Sequence, residues 1–442
     1  MVRVPSLRRA FGLFFCLSLL VSSAYPRETR VTIATFNIEW LGYPWNSGEW
    51  YGSRDAQIRS AAEEILAVDA DIFALQEVIV DSRNGNALED LLAQLNALDD
   101  GDPWEGMHNQ KFSFWWNPDF EDFPAQRQAY IWKSSIVEYK GAGILLDWLP
   151  AGDDRFGSGR LPLLLEVEVG EGDVRFPLQL VNLHLKCCRG SEARRRRSMT
   201  TLIDELQASR ADVPMVVLGD FNVADDGGAY GEISDWGFYE DDDGDGGPDF
   251  FHAAGAVADL SWDDIDHIMM SDELQAAYER VPAALRNVII DSAVSDHGPV
   301  VTSLIFQPTH AQRYEVWSGE AFAGDPLFDG KTAYGDDPDG DGMVNFLEFA
   351  LGGDPTVPDA GEVGPLVRLD DSGHVLVSYT VRNTLAEDGI RFLTTTDLQS
   401  WSEVKAGQAE RVVEPEITPG FDRVTLTMPD LFPDGQKFFL LE

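Results

Sequence analysis

The chain has 442 residues, 33 Lys+Arg against 76 Asp+Glu, and a formal net charge of −43. With 44% hydrophobic and 25% charged residues it is neither a disordered polymer nor a collagen-like fibre. So acidic a balance excludes a protein that holds nucleic acid by bulk charge, though not an enzyme that meets phosphate locally. Three cysteines exclude a disulfide-stapled scaffold.

Arg3, Arg8 and Arg9 precede an apolar run over 11–21, too short to span a bilayer. Ser22 and Ala24 are small residues at the −3 and −1 positions of a cleavage site. Residues 1–24 therefore read as a signal peptide, with an uncleaved anchor helix as the alternative. No later stretch is long and apolar enough to cross a bilayer, so the mature protein is expected to be secreted, extracellular or periplasmic. Cys187 and Cys188 then remain, and they are adjacent. Neighbouring Cα atoms lie about 3.8 Å apart, below the usual disulfide span. The pair reads as two small residues beside a site, reduced or in a strained ring.

Alternation and apolar runs predict strands over 31–36, 71–75, 128–132, 161–169, 174–184, 213–218, 265–269 and 299–306. Helical periodicity covers 56–66, 87–98 and a segment capped by Ser191 and running to about residue 208. This mixture predicts an α/β domain over 28–307. Residues 308–362 form a linker with a dense Asp/Gly run. From 363 to 442 the pattern is short strands and turns, a small mostly-β C-terminal domain.

Several strands of the first domain end in polar residues. TFNIEW supplies Asn37 and Glu39, LQEV Glu77, NLHLK His184, LGDFN Asp220 and Asn222, IDHIM Asp266 and His267, and SDHGP Asp296 and His297. Such a set suits attack on a phosphorus ester. The substrate is an anion, so a divalent cation must offset its charge. Glu39, Glu77 and Asp296, with Asn37, offer the hard oxygen ligands that Mg2+ or Mn2+ takes. Asp220 can accept a proton from the attacking water, with Asn222 positioning it. His184 can protonate the leaving oxygen. His297, oriented by Asp266, can hold or protonate a phosphoryl oxygen.

These six motifs, in this order, resemble the endonuclease/exonuclease/phosphatase superfamily, whose members include deoxyribonuclease I. The resemblance covers most of 28–307. It implies a four-layered α/β/β/α sandwich, a role for Glu77 as metal ligand or partner of His184, and the pairing of Asp266 with His297. His184 stands where abasic-site endonucleases usually carry tyrosine, so the resemblance leans towards the deoxyribonuclease-I-like and sphingomyelinase-like branches. Arg127 and Arg160 lie on segments that resemble family strands bringing arginine to phosphate.

Arg194 to Arg197 form a basic row; successive helical residues are about 100° apart, so four cannot share one face. Aromatic clusters at Trp40, Trp45, Trp50 and Tyr51, and at Phe112, Phe114, Trp115, Trp116 and Phe120, can pack against the sheet, stack bases or touch lipid. The acidic segment holding Asp241, Asp243, Asp245 and Asp249 lacks a closing glutamate for calcium and reads equally as a solvated loop.

In the linker, DPDGDGMVNFLE fits the EF-hand loop pattern over 337–348: Asp337, Asp339 and Asp341, Gly342 at the turn, the Met343 carbonyl, Asn345, and Glu348 closing. Ca2+ is the expected ion. The stretch ALGGDPTVPD after it resembles calcium-binding EF-hand-like linkers of secreted bacterial proteins.

The sequence thus predicts a secreted divalent-metal-dependent phosphodiesterase, most simply a nuclease acting on DNA or RNA. A sphingomyelinase-like phospholipase C acting on phospholipid, or another phosphatase, is the alternative among hydrolases. A calcium-stabilised, non-catalytic adhesion protein is the alternative of another class. Nothing in the sequence demands an obligate protein partner.

Overall fold

The computed structural model describes residues 28–43, 51–99, 101–111, 126–150, 153, 155–156, 160–170, 172, 174–188, 190–210, 213–223, 233, 236–240, 247–255, 265–323, 326–372, 374–383, 385, 392–395, 402–404, 409–428 and 438–441. The expected signal peptide lies outside them. So do Trp45, Trp50, Phe112, Phe114, Trp115, Trp116, Phe120, Asp241, Asp243 and Asp245. Among the described residues no helix is long and apolar enough to cross a membrane.

By its internal contacts the chain divides into two compact units, one spanning Glu28–Thr309 and one including His310–Glu442. The first holds β1 (Thr29–Leu41), α1 (Arg54–Val68), β2 (Ile72–Asp81), β3 (Gly85–Asn86), α2 (Ala87–Leu98), β4 (Trp104–His108), β5 (Gln126–Lys133), β6 (Val137–Ile144), β7 (Leu163–Val169) and β8 (Phe176–His184). It continues with α3 (Glu192–Arg210), β9 (Met215–Asp220), β10 (Phe250–Gly255), β11 (Asp266–Ser271), α4 (Gln275–Glu279), β12 (Val288–Ile289) and β13 (Val300–Phe306).

Among the described residues these strands make two sheets. One runs β12-β13-β1-β2-β5-β4, with β3 on β2; the other runs β10-β11-β9-β8-β7-β6. Both faces of the central strands are apolar, so each residue parity finds its own core. On β1, Val31 and Ile33 face the core between the sheets with Leu180, Leu218 and Ile268. Ala34, Phe36 and Ile38 face the opposite way, onto Ile58 and Ile65 of α1 and Leu91 and Leu95 of α2. The outer face of the second sheet packs Val181 and Val217 under Met199, Leu202 and Leu206 of α3. The layers are therefore α/β/β/α. Each fully buried side chain of this size stabilises by roughly 1.5–3 kcal/mol.

Local signals start the helices. Ser53 accepts from the Ala56 N–H at the head of α1, and Asn86 accepts from Leu88 and Glu89 N–H at the head of α2. The helix α1 stops where Asp69 turns left-handed, at φ 56°.

The second unit holds α5 (His310–Ala321), α6 (Asn345–Leu351), α7 (Ala360–Val363), β14 (Leu366–Leu369), β15 (Val375–Arg382), β16 (Phe392–Thr395), β17 (Ser402–Glu403), β18 (Glu410–Thr418), β19 (Phe421–Met428) and β20 (Phe438–Leu441). Its strands form the antiparallel sheets β14-β15-β19-β18 and β17-β16-β20. Tyr314, Trp317, Phe349, Val377 and Val424 share its core. The C-terminal region is separate and β-rich.

Candidate active site

The polar strand ends meet because of register. In the second sheet β8 and β9 are parallel, which sets His184 beside Asp220; β11 is antiparallel to β9, which sets Asp266 on the other side of Asp220. In the first sheet β1 and β2 are parallel, and Asn37 lies beside Gln76. Beyond that pair the register shifts, between Asn37 and Leu41 on β1 and between Leu75 and Val78 on β2. Bulges at these points re-aim side chains. Glu39 (φ 41°), Trp40 (φ 51°) and Glu77 (φ 63°) are left-handed there, and so is Asn222 (φ 54°) just beyond β9. Non-glycine residues in that region are strained by about 1–3 kcal/mol each, a cost the surrounding packing must offset.

Asp220 sits at the centre. Asn37 Nδ2 donates to its Oδ2 at 3.0 Å, and the Asn222 N–H donates to its Oδ1 at 2.8 Å. His184 Nε2 lies 3.4 Å from Asp220 and 3.7 Å from Glu77. Burial and the nearby Asp266 charge push the Asp220 carboxyl up to about 7, against the pull of His297, Asn37 and Arg160.

His297 faces the same centre. Its Nδ1 lies 2.5 Å from Asp266 Oδ2, and its Nε2 3.5 Å from Asn37 Nδ2. Burial drives this imidazole down, but the Asp266 carboxylate, helped by Asp220 and Asp296, outweighs it and carries it to about 10. Ser295 fixes the turn by donating to the Asn37 carbonyl at 2.7 Å and accepting from the His297 N–H.

His184 behaves oppositely. Burial, then repulsion from Arg160 and His297, lowers it well below the usual imidazole range. Arg160 Nη1 lies 2.7 Å from Nε2 and 3.1 Å from Nδ1. A guanidinium only donates, so it can face a ring nitrogen this closely only if that nitrogen keeps its lone pair. Burial and the guanidinium both favour the neutral imidazole of His184. Arg160 reaches the centre as the neighbour of His184 rather than as an open phosphate receptor, and also donates to the Leu185 carbonyl.

Arg127 is not brought there. Its guanidinium donates to the carbonyls of Val80, Asn109 and Gln110 at 2.9, 2.7 and 2.7 Å, so it ties strands together in place of the expected phosphate contact. Asn222 Nδ2 donates to the Leu185 carbonyl, leaving its N–H as its contact with Asp220.

The carboxylates of Glu39, Glu77 and Asp296 suit a hard cation. Glu39 is raised by burial and then by the Asp296 charge; Glu77 is raised by burial. Asp296 is 70% exposed. Glu77 is only 14% exposed; Mg2+ usually keeps several waters and takes one or two carboxylates plus substrate phosphate.

Sequence reasoning missed the polar seam beneath this site. Asn182, fully buried, donates to the carbonyls of Leu75 and Ala129 at 3.0 Å and accepts from Gln76 Nε2 at 2.9 Å. Gln128 Nε2 donates to the Asn182 carbonyl, and Asn109 Nδ2 to Gln128 Oε1. The signal was present: three buried amides inside otherwise apolar strand segments.

Around the rim, Arg195 is buried and donates to the carbonyls of Lys186 and Cys188, while Arg196 and Arg197 are exposed. The sulfurs of the adjacent Cys187 and Cys188 lie 2.6 Å apart. Trp40 packs on Tyr43. Asp249 accepts from Gln207.

In the second unit, the carboxylates of Asp337, Asp339 and Asp341 lie within 4.8 Å of one another. Asn345 Nδ2 donates to the Lys331 and Ala333 carbonyls at 2.9 Å, and its Oδ1, the atom the EF-hand pattern expects as ligand, is buried with no hydrogen-bond partner. Glu348 groups with Asp341 and Asp359, one ligand atom of each lying within 4.8 Å of the others. Burial, then the charges of Asp339, Asp341, Asp359 and Asp354, push Glu348 up to about 8.

A family model described as the Endonuclease/Exonuclease/phosphatase family matches residues 34–297. Among solved structures, the chain is similar to an endonuclease/exonuclease/phosphatase family protein from Bacteroides thetaiotaomicron (16% identity, covering 64% of this chain and 100% of that one, TM-score 0.43). It is also similar to the human Nocturnin catalytic domain with bound sulfate (17%, 62% and 93%, TM-score 0.41) and to a Bacteroides thetaiotaomicron mannosyl-6-phosphatase (14%, 63% and 100%, TM-score 0.42). No curated protein matches it.

Proposed function

Because the chain belongs to the endonuclease/exonuclease/phosphatase family and is a metal-dependent phosphoric ester hydrolase, we propose that it is a secreted phosphodiesterase that cuts DNA or RNA by attack of an activated water. The observation that supports this reading is the convergence of Asn37, His184, Asp220 and the Asp266–His297 pair at one rim of the two sheets.

Mg2+ or Mn2+, held by Glu39, Glu77 and Asp296 with Asn37 alongside, would offset phosphate charge and polarise the ester. Asp220 takes the proton of the attacking water; donors on both its oxygens orient it, and its raised affinity for a proton suits a base near neutral pH. His297 carries the proton at this site. It stabilises a phosphoryl oxygen and passes its proton towards the leaving oxygen, with Asp266 holding the ring. His184, neutral beneath Arg160, positions Asp220 and Glu77. The exposed Arg196 and Arg197 favour a substrate with further phosphates beyond the one that reacts. In the second unit we assign Ca2+ to Asp337, Asp339 and Asp341 with the Met343 carbonyl and Asn345 Oδ1.

The test is a substrate panel of supercoiled plasmid, single-stranded RNA, sphingomyelin vesicles and a sugar phosphate, each with Mg2+ and with chelator. Plasmid or RNA should be cut with Mg2+ only, and Asp220→Ala or His297→Ala should each lower the rate by roughly 10²–10⁴-fold. Hydrolysis of vesicles or sugar phosphate with nucleic acid untouched would replace the nuclease reading while leaving the phosphoesterase standing. For export, the mature protein should begin at Tyr25.

A further inference from the structure

Glu348 is fully buried, and neither of its carboxylate oxygens has a hydrogen-bond partner. A carboxylate removed from water and left unpaired is among the costlier arrangements in a protein. Its oxygens face those of Asp341 and Asp359, one ligand atom of each lying within 4.8 Å of the others. Asp359 lies eleven residues beyond the end of the twelve-residue loop pattern, and its Oδ1 is also buried without a partner.

The backbone holds this group in place. Asp341 Oδ2 accepts from the N–H groups of Asp359 and Ala360 at 2.8 and 2.6 Å, which draws the later segment back onto the loop. Asp359 Oδ2 accepts from the Asp354 N–H at 3.1 Å, which leaves Oδ1 turned inward. Gly353 opens the space beside it. A Cβ at that residue would lie 3.2 Å from both Asp359 Oδ1 and Glu348 Cβ.

We propose that Asp341, Glu348 and Asp359 hold a second calcium ion, distinct from the one assigned to Asp337, Asp339 and Asp341, with Asp341 bridging the two. The donors are all carboxylate oxygens, without thiol or imidazole, which selects a hard cation. Ca2+ prefers six to eight oxygens, so waters or carbonyls would complete the shell. The ion supplies what the buried Glu348 oxygens lack, and it fastens the segment around Asp359 to the head of α6. The inference rests on the calcium reading of the loop, and a separate variant tests each ion.

The experiment is calorimetric titration of the chelator-stripped full chain with Ca2+, Mg2+ being in excess to occupy the strand-end site. The wild type should take up two calcium ions. Asp359→Asn, which keeps an acceptor for the Asp354 N–H, should lose one binding step and keep the other. Asp337→Asn should lose the opposite step, and Glu348→Gln should lose the step that Asp359→Asn loses. Gly353→Ala, which removes no ligand, should weaken that same step roughly tenfold by crowding it. Thermal melts in chelator show whether each apo variant folds as the wild type does. One calcium ion in the wild type, or Asp359→Asn and Gly353→Ala both indistinguishable from wild type, overturns the second site. An unchanged Asp337→Asn with an altered Asp359→Asn instead removes the loop assignment and leaves this one.

Discussion

The proton on His297 is governed by two opposing forces, and a single substitution separates them. Burial disfavours the imidazolium, while the Asp266 carboxylate 2.5 Å from Nδ1 favours it and wins. On the acid side, Asp220 must lose its proton to act as base, and burial with the Asp266 charge holds it near 7. The profile of kcat/KM should therefore rise as pH climbs through about 7 and fall only as it nears 10. Asp266→Asn removes the charge that retains the His297 proton, so the alkaline fall should move down towards the ordinary imidazole range near 6.5. It also removes a charge that repels the ionised Asp220, so the rise should move to lower pH. A profile unshifted at both limbs in Asp266→Asn would remove His297 as the proton carrier. Much of this pair was legible in the sequence, because IDHIM and SDHGP are compact motifs with strand patterning around them. The state of His184 was not. It depends on Arg160, 24 residues earlier, closing over the ring, and no local pattern encodes that contact.

The strands that carry the site are also where the fold is under most strain, and their tolerance to change should be correspondingly low. Gly219, at φ +143°, precedes Asp220, and a Cβ there would lie 2.1 Å from the Leu183 carbonyl oxygen of the parallel β8. Gly219→Ala must push β8 and β9 apart. It should destabilise by more than about 2 kcal/mol and lower activity together with stability, as followed by urea unfolding beside turnover. Asn182→Ala acts differently. It leaves the Leu75 and Ala129 carbonyls without their side-chain donor between the sheets, while Gln76 Nε2 keeps Thr35 and Ala74, at about 1–3 kcal/mol per orphaned group. The expected loss is about 3 kcal/mol or more, a fall in Tm on the order of 10 °C. A melt within a degree or two of wild type would show that water replaces those bonds. At this scale the central strands were legible because they are apolar on both faces. Of the strands of the first unit that escaped sequence reading, β4, β6, β10 and β12 are the outer strands of the two sheets, and β3 is a two-residue pairing on β2. An edge strand buries one flank only, and in β6 three exposed residues run in succession before Gly141 and Gly143, so no two-residue period shows. In the second unit α5 escaped for a related reason. Only Tyr314 and Trp317 of its twelve residues are buried, too few for a recognisable apolar stripe.

A chain with a net charge of −43 repels the polyanion it is proposed to cut, and the whole molecule must meet that repulsion somehow. Local arginines are one answer, but Arg195 and Arg160 are committed to carbonyls and to His184, and the exposed Arg196 and Arg197 are a small counterweight to so many acids. Salt is the other answer. At about 0.15 M the screening length is roughly 8 Å, and at 1 M about 3 Å. Added salt then weakens the long-range repulsion from the acidic surface more than it weakens contacts made within the site. An ordinary nucleic-acid binder that neutralises several phosphates with lysine and arginine loses affinity steeply as salt rises. This protein should do the reverse, with plasmid nicking at fixed Mg2+ holding or increasing as NaCl is raised to moderate levels, read as the slope of log kcat/KM against log salt. A slope at or above zero fits an acidic enzyme suited to a saline habitat. A steep negative slope would mean that Arg196, Arg197 and their neighbours dominate encounter. In that case Arg196→Gln combined with Arg197→Gln should flatten it.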